Sequence, residues 1–188
     1  MRKFITFDII EFMKQLTIPS YTEKKIKKGQ FVLEKQDFPS LPFHDQAVEL
    51  ANTKGQFIGI GYLSEQNKGI GWFISHKKVT LDVSFFCQLF QCAKEKRQVY
   101  QQSEETTAYR LFNQEGDGFG GFTIDLYQDY AVFSWYNLFV YEMKETVVQA
   151  FQHVFPEVAG AYEKIRFKGL NVESAHLYGQ EAPAFFTI

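Results

Sequence analysis

The run Glu115-Gly116-Asp117-Gly118-Phe119-Gly120-Gly121 carries the densest chemical signal in the chain. Gly116, Gly118 and Gly121 match the spacing of the loop that cradles a dinucleotide phosphate. That chemistry needs a strand before the loop and a helix after it, so that backbone N–H groups and the helix N-terminus meet the anion. Here Phe122-Thr123-Ile124-Asp125-Leu126-Tyr127 follows, alternating apolar and polar, which is strand periodicity. The sequence therefore predicts a glycine-rich hairpin turn, with Asp117 capping backbone N–H groups and Gly118 at a positive φ. The alternative for Glu115, Asp117 and Gly118 is a loop that faces a further domain or its substrate.

A second signal is charge. Lys24, Lys25, Lys27 and Lys28 put four lysines in five positions, a path for phosphates or a solvated face. Trp72 follows Lys68 across a turn, so the indole could stack a base with the lysine on a phosphate; a core Trp is the other reading. Arg110 and Asp125 fall on strands expected to pair and suit a cross-strand ion pair. Cys87 and Cys92, the only cysteines, are spaced for neither a redox pair nor a zinc half-site, and two buried free thiols in a reducing cytoplasm are expected. His44, His76, His153 and His176 are scattered without metal-ligand spacing.

The stretch YRLFNQEGDGFGGFTIDLY, from Tyr109, resembles the central-domain signature of the PUA-domain class I rRNA methyltransferases, with Phe119 and Phe122 where leucine is common. The resemblance continues through residues 62–72, 160–166 and 178–183 and covers most of the chain from Tyr21 to Ile188. It implies a PUA domain used for structured RNA, a central α+β domain, and a parent enzyme that methylates rRNA at cytosine C5 with S-adenosylmethionine. The Rossmann-like methyltransferase domain that the family has next is not found in these residues. The chain is thus expected to lack a catalytic site, to hold no cofactor itself, and to be inactive alone. Its expected partners are rRNA and that methyltransferase domain in the cytoplasm, with no membrane; a homodimer is left open. A stand-alone RNA-binding or protein-interaction module is the competing expectation.

These signals must be positioned by elements of a 188-residue chain with 45% hydrophobic and 18% aromatic residues, enough for a core without metal or disulfides. Residues 1–78 carry twelve Lys/Arg against eight Asp/Glu, a balance of +4, and residues 79–188 carry eight against fourteen, a balance of −6. That asymmetry suggests two modules with different partners. Ile9, Phe12, Met13 and Leu16 suggest a short helix within an extension at 1–19. Short strands at 30–33, 47–51, 56–63 and 70–75 with close turns predict a small all-β barrel over 20–76.

Residues 79–188 then read as an α+β domain with a mostly antiparallel sheet and two covering helices. Asp82 caps the first helix, which carries Phe85, Phe86, Leu89, Phe90 and Ala93 on one side. Three strands form a meander between 109 and 136. The second helix carries Val140, Met143, Val147, Phe151 and Val154 and stops at Pro156. A strand over 159–167 and a loop or hairpin over 170–180 follow. The final apolar run, 183–188, looks cut from a longer chain.

Overall fold

A computed structural model describes residues 13–38, 45–66, 69–103, 105–170 and 175–184. The first sheet contains β1 (Lys14–Thr17), β2 (Val32–Glu34), β3 (Gln46–Ala51), β4 (Phe57–Gln66) and β5 (Gly69–Ser75), in the order β1-β3-β4-β5-β2. The helix α1 (Ser20–Lys27) lies between β1 and β2. All neighbours pair antiparallel except β1 with β3. The short helix expected near the N-terminus is corrected at 14–17, which is a strand; residues 1–12 lie outside the described residues. Leu16 and Ile18 are buried two apart, a period that suits β1 against β3.

The lysine run, read from sequence only as a phosphate path or a solvated face, lies on a helix and its end. Thr22 and Ile26, four apart, are buried on one face of α1, and the lysines occupy the remainder. Leu16, Ile18, Ile26, Leu33, Val48, Leu50, Leu63, Ile70 and Phe73 close this first core.

The second sheet has the order β10-β9-β8-β7-β6. Its meander is β6 (Ala108–Asn113), β7 (Phe122–Tyr127) and β8 (Tyr130–Trp135), as the alternation predicted. Next, β9 (Gly160–Ile165) pairs parallel to β8 after a helical crossover, and β10 (Ala175–Gly179) returns antiparallel. The helix α2 (Val83–Lys96) begins at Asp82, whose Oδ1 accepts the Phe85 N–H at 2.9 Å. A short α3 (Gln98–Gln101) follows it directly. The crossover is two helices, α4 (Leu138–Glu142) and α5 (Lys144–Val154), parted at Met143.

One face of the second sheet is sealed by α2 and α5. Phe86, Phe90 and Phe151 meet Phe112, Phe122 and Phe133 there, all fully buried. Phe112 and Phe122 stack with centroids 4.6 Å apart, and Phe90 meets Phe112, Phe122 and Phe151 edge-on. Each such side chain adds about 1.5–3 kcal/mol relative to exposure. Glu163 is buried on the same face, where its carboxylate accepts from Trp135 Nε1 at 3.0 Å and from Lys144 Nζ at 3.1 Å.

The two sheets are not independent. Side-chain alternation along β4 and β5 sends Leu63 and Phe73 into the first core, while Tyr62 and Trp72 enter the second. Tyr62 stacks on Trp72, Phe119 and Phe139.

Candidate nucleic-acid interface

The central turn is built to lock the sheets together. Residues 114–117 form a 3-10 turn that ends at Gly118, whose φ is +98°. Asp117 is buried and accepts the Asn113 N–H at 2.7 Å, the expected cap, together with Arg97 Nη2 at 2.6 Å and Lys96 Nζ at 3.1 Å. Burial alone would push its carboxyl upward; the hydrogen bonds from Arg97, Asn113 and Lys96 prevail and hold it below the usual carboxylate range. Gly118 faces Leu89, Gly120 faces the Trp72 indole, and Gly121, also at φ +98°, faces Tyr62, Asn137 and Val140. Glu115 Oε2 is buried with no hydrogen-bond partner among the described residues.

This packing bears on the phosphate-cradle spacing. The space beside Gly118, Gly120 and Gly121 is filled by the chain's own side chains, and the turn leads into β7, not a helix. A nucleotide cofactor such as S-adenosylmethionine does not fit this loop. Cys87 is half-buried, its thiol pushed up by burial and then by the charge of Asp82, opposite to an activated thiolate. Cys92 is exposed, which corrects the expectation of two buried thiols. His76, His153 and His176 each meet a backbone carbonyl, and His44 lies outside the described residues. No cluster of three metal-ligating side chains occurs among the described residues.

The residues singled out for RNA separate in space. Lys24, Lys27 and Lys28 are exposed on α1 and just past its end, Lys27 paired with Glu23 at 2.6 Å. Lys25 turns back to Glu34 and Asp37, each at 3.2 Å, and the Asp37 hydrogen bond raises its pKa. Lys68 lies outside the described residues. Trp72 is 3% exposed and wedged between Tyr62 and Gly120, which corrects its reading as a base platform: the indole is a core contact between the sheets.

The face of the second sheet away from α2 and α5 has a different character. The register places Arg110 opposite Asp125, Asp125 opposite Val132, and Val132 opposite Tyr162. Tyr127 pairs with Tyr130, and Ser134 with Lys164, on this same face. Arg110 donates to Asp125 through Nε at 2.8 Å and Nη2 at 3.2 Å, the expected cross-strand pair. Beyond β9 the alternation continues to Arg166 and Lys168, which line a cleft of about 520 Å³ with Asp45, Ser64, Gln66 and Tyr136, where the two sheets meet. Lys164, Arg166 and Lys168 are all exposed. Sequence reasoning passed over them, although Lys164-Ile165-Arg166-Phe167-Lys168 shows the two-residue period of a cationic strand edge.

A β-rich sheet with a single helix, fused to an α+β layer through Tyr62 and Trp72, defines a PUA-like module on a helix-covered sheet, and residues 16–76 match the family described as "PUA-like domain". Across both sheets the chain is similar to part of proteins named ribosomal RNA large subunit methyltransferases. It is 36% identical over 160 residues to "Putative ribosomal RNA large subunit methyltransferase YwbD" of Bacillus subtilis, covering 82% of this chain and 40% of that protein. It is 33% identical over 153 residues to ribosomal RNA large subunit methyltransferase I of Photobacterium profundum, covering 78% and 38%. A solved structure described as "a putative sam-dependent methyltransferase from Streptococcus mutans" superposes with a TM-score of 0.88 at 53% identity, over 93% of this chain and 45% of that one. Another solved structure, described as "a putative methyltransferase complexed with SAH", gives 0.87 at 53% identity, over the same shares. The chain spans about two fifths of the length of its curated relatives.

Proposed function

We propose that these residues form the RNA-holding, substrate-presenting part of an S-adenosylmethionine-dependent rRNA methyltransferase that acts at cytosine C5. The observation that carries this reading is the similarity to named rRNA large subunit methyltransferases across both sheets, beyond the PUA-like module alone. Binding the cofactor and transferring the methyl group fall to the remainder of such a protein. The fixed junction of the sheets supports the assignment: a rigid platform presents a substrate strand in one geometry, so a base drawn out of its stack meets a separate catalytic centre. The exposed Lys24, Lys27 and Lys28 suit contacts to phosphates, which set affinity without reading sequence.

Two titrations test this. Calorimetry of the chain with S-adenosylmethionine is expected to show no saturable binding, and a gel shift with large-subunit rRNA fragments is expected to show a retarded complex. Micromolar cofactor binding or an unshifted RNA contradicts the assignment.

A further inference from the structure

We infer that the helix-free face of the second sheet, from Tyr127 to Lys168, is a track for single-stranded RNA. The inference rests on the RNA-holding function proposed above and names a surface for it in the half of the chain with the negative balance.

Charge distinguishes this face from its surroundings. Residues 79–188 carry a balance of −6, yet this sheet face gathers Arg110, Lys164, Arg166 and Lys168, with Asp125 the acid on its paired strands. Arg110 neutralises that acid in a two-toothed pair. Lys164, Arg166 and Lys168 make no side-chain ion pair or hydrogen bond among the described residues, so their charges stay available. Three unpaired cations in an acidic half focus a local field that draws in a polyanion and repels it elsewhere. The facing acids in the cleft are Asp45, which accepts from Ser64 Oγ at 2.5 Å, and Glu65.

Shape points to a single strand. The face also carries Tyr127 and Tyr162, and Tyr136 lines the cleft with Arg166 and Lys168. The Tyr162 ring is fixed by the Ala182 N–H, which donates to its hydroxyl at 2.7 Å, and by His176 edge-on at 5.1 Å. Tyr127 is partly exposed near the far end. Rows from Gly160 to Arg166 span about 20 Å at strand rise. A sheet with aromatic rings for bases and a flanking line of cations for phosphates suits an unpaired strand, whereas duplex RNA keeps its base faces stacked inside. The cleft at Arg166 and Lys168 leads the strand toward the PUA-like module.

Fluorescence anisotropy of the full chain with labelled oligouridine and with a duplex RNA of equal length tests this, alongside Lys164→Gln/Arg166→Gln/Lys168→Gln, Tyr127→Ala and Tyr127→Phe. The intact chain is expected to prefer oligouridine. The triple variant is expected to lose about tenfold or more in affinity and to flatten the logarithmic salt slope by about 2, from 0.7 per lost single-strand contact. Tyr127→Ala is expected to lose about fivefold, and Tyr127→Phe to keep its affinity, as stacking requires. Circular dichroism confirms that each variant is folded; because the substituted cations are exposed, their loss leaves the fold intact. An intact chain that binds no RNA overturns both the proposed function and this track. An intact chain that binds while the triple and Tyr127→Ala variants bind equally well overturns the track alone and leaves the face to a protein domain.

Discussion

Trp72 of β5 occupies the space that any side chain at position 120 would need: a Cβ built on Gly120 would collide with the indole ring. Both elements are buried and neither has a flexible tip that could move aside. Gly120→Ala is therefore expected to destabilise the chain by about 2 kcal/mol or more through overpacking. Gly118→Ala is expected to lose about 1 kcal/mol or more, because its φ of +98° strains any L side chain. Thermal melts of both variants check this, and unchanged midpoints contradict it.

The same junction predicts cooperative unfolding. The Tyr62 hydroxyl donates to the Gly120 carbonyl at 2.9 Å and accepts from Asn137 Nδ2 at 3.1 Å. Ser64 Oγ also accepts the Phe139 N–H at 3.3 Å. Tyr62→Phe leaves buried partners unsatisfied and is expected to lower stability by about 1–2 kcal/mol while both sheets still unfold in one transition. Denaturant curves by near- and far-ultraviolet circular dichroism measure this. Two separated transitions in the unaltered chain contradict it.

Much of the second sheet was legible because its signals are local. Asp82 three residues before Phe85 marks a helix start, and alternation around the glycine turn marks a hairpin. The missed elements depend on distant partners. Nothing near Lys14–Thr17 announces that β3, some thirty residues later, will pair with it. Around Ile26, four lysines hide a helix held by its two buried residues. The core reading of Trp72 agrees with its burial, but its partner was not legible, since Gly120 belongs to the other module. The break at Met143 went unseen because apolar spacing continues straight across it.

Asp117 predicts an acid-sensitive lock. Its carboxyl is held below the ordinary range, so it adds stability above the unfolded value of about 4, and that stability is lost as pH falls through the folded value. Asp117→Asn is expected to lose about 3 kcal/mol at neutral pH, since Arg97 and Lys96 then face no charge, and to flatten the acid limb of the stability profile. Urea midpoints between neutral pH and about pH 3 measure both effects. An unchanged acid limb in the variant contradicts the lock.

The exposed lysines of α1 make a smaller, separable contribution. Lys24→Gln/Lys27→Gln/Lys28→Gln is expected to leave the melting temperature unchanged, since the Lys27–Glu23 pair is on the surface. It is expected to lower RNA affinity at low salt and reduce the salt slope by about 1–2. An unaltered slope reduces these lysines to a solvated face.

The proposed function requires that this chain bind RNA without the cofactor and without performing the transfer. The most direct measurement is anisotropy of a labelled single-stranded rRNA fragment titrated with the unaltered chain from about 50 to 200 mM salt, with and without S-adenosylmethionine. Saturable binding that weakens linearly with the logarithm of salt, at the same affinity with or without cofactor, is the predicted result. No binding at the lowest salt, or binding that appears only with S-adenosylmethionine, contradicts the account.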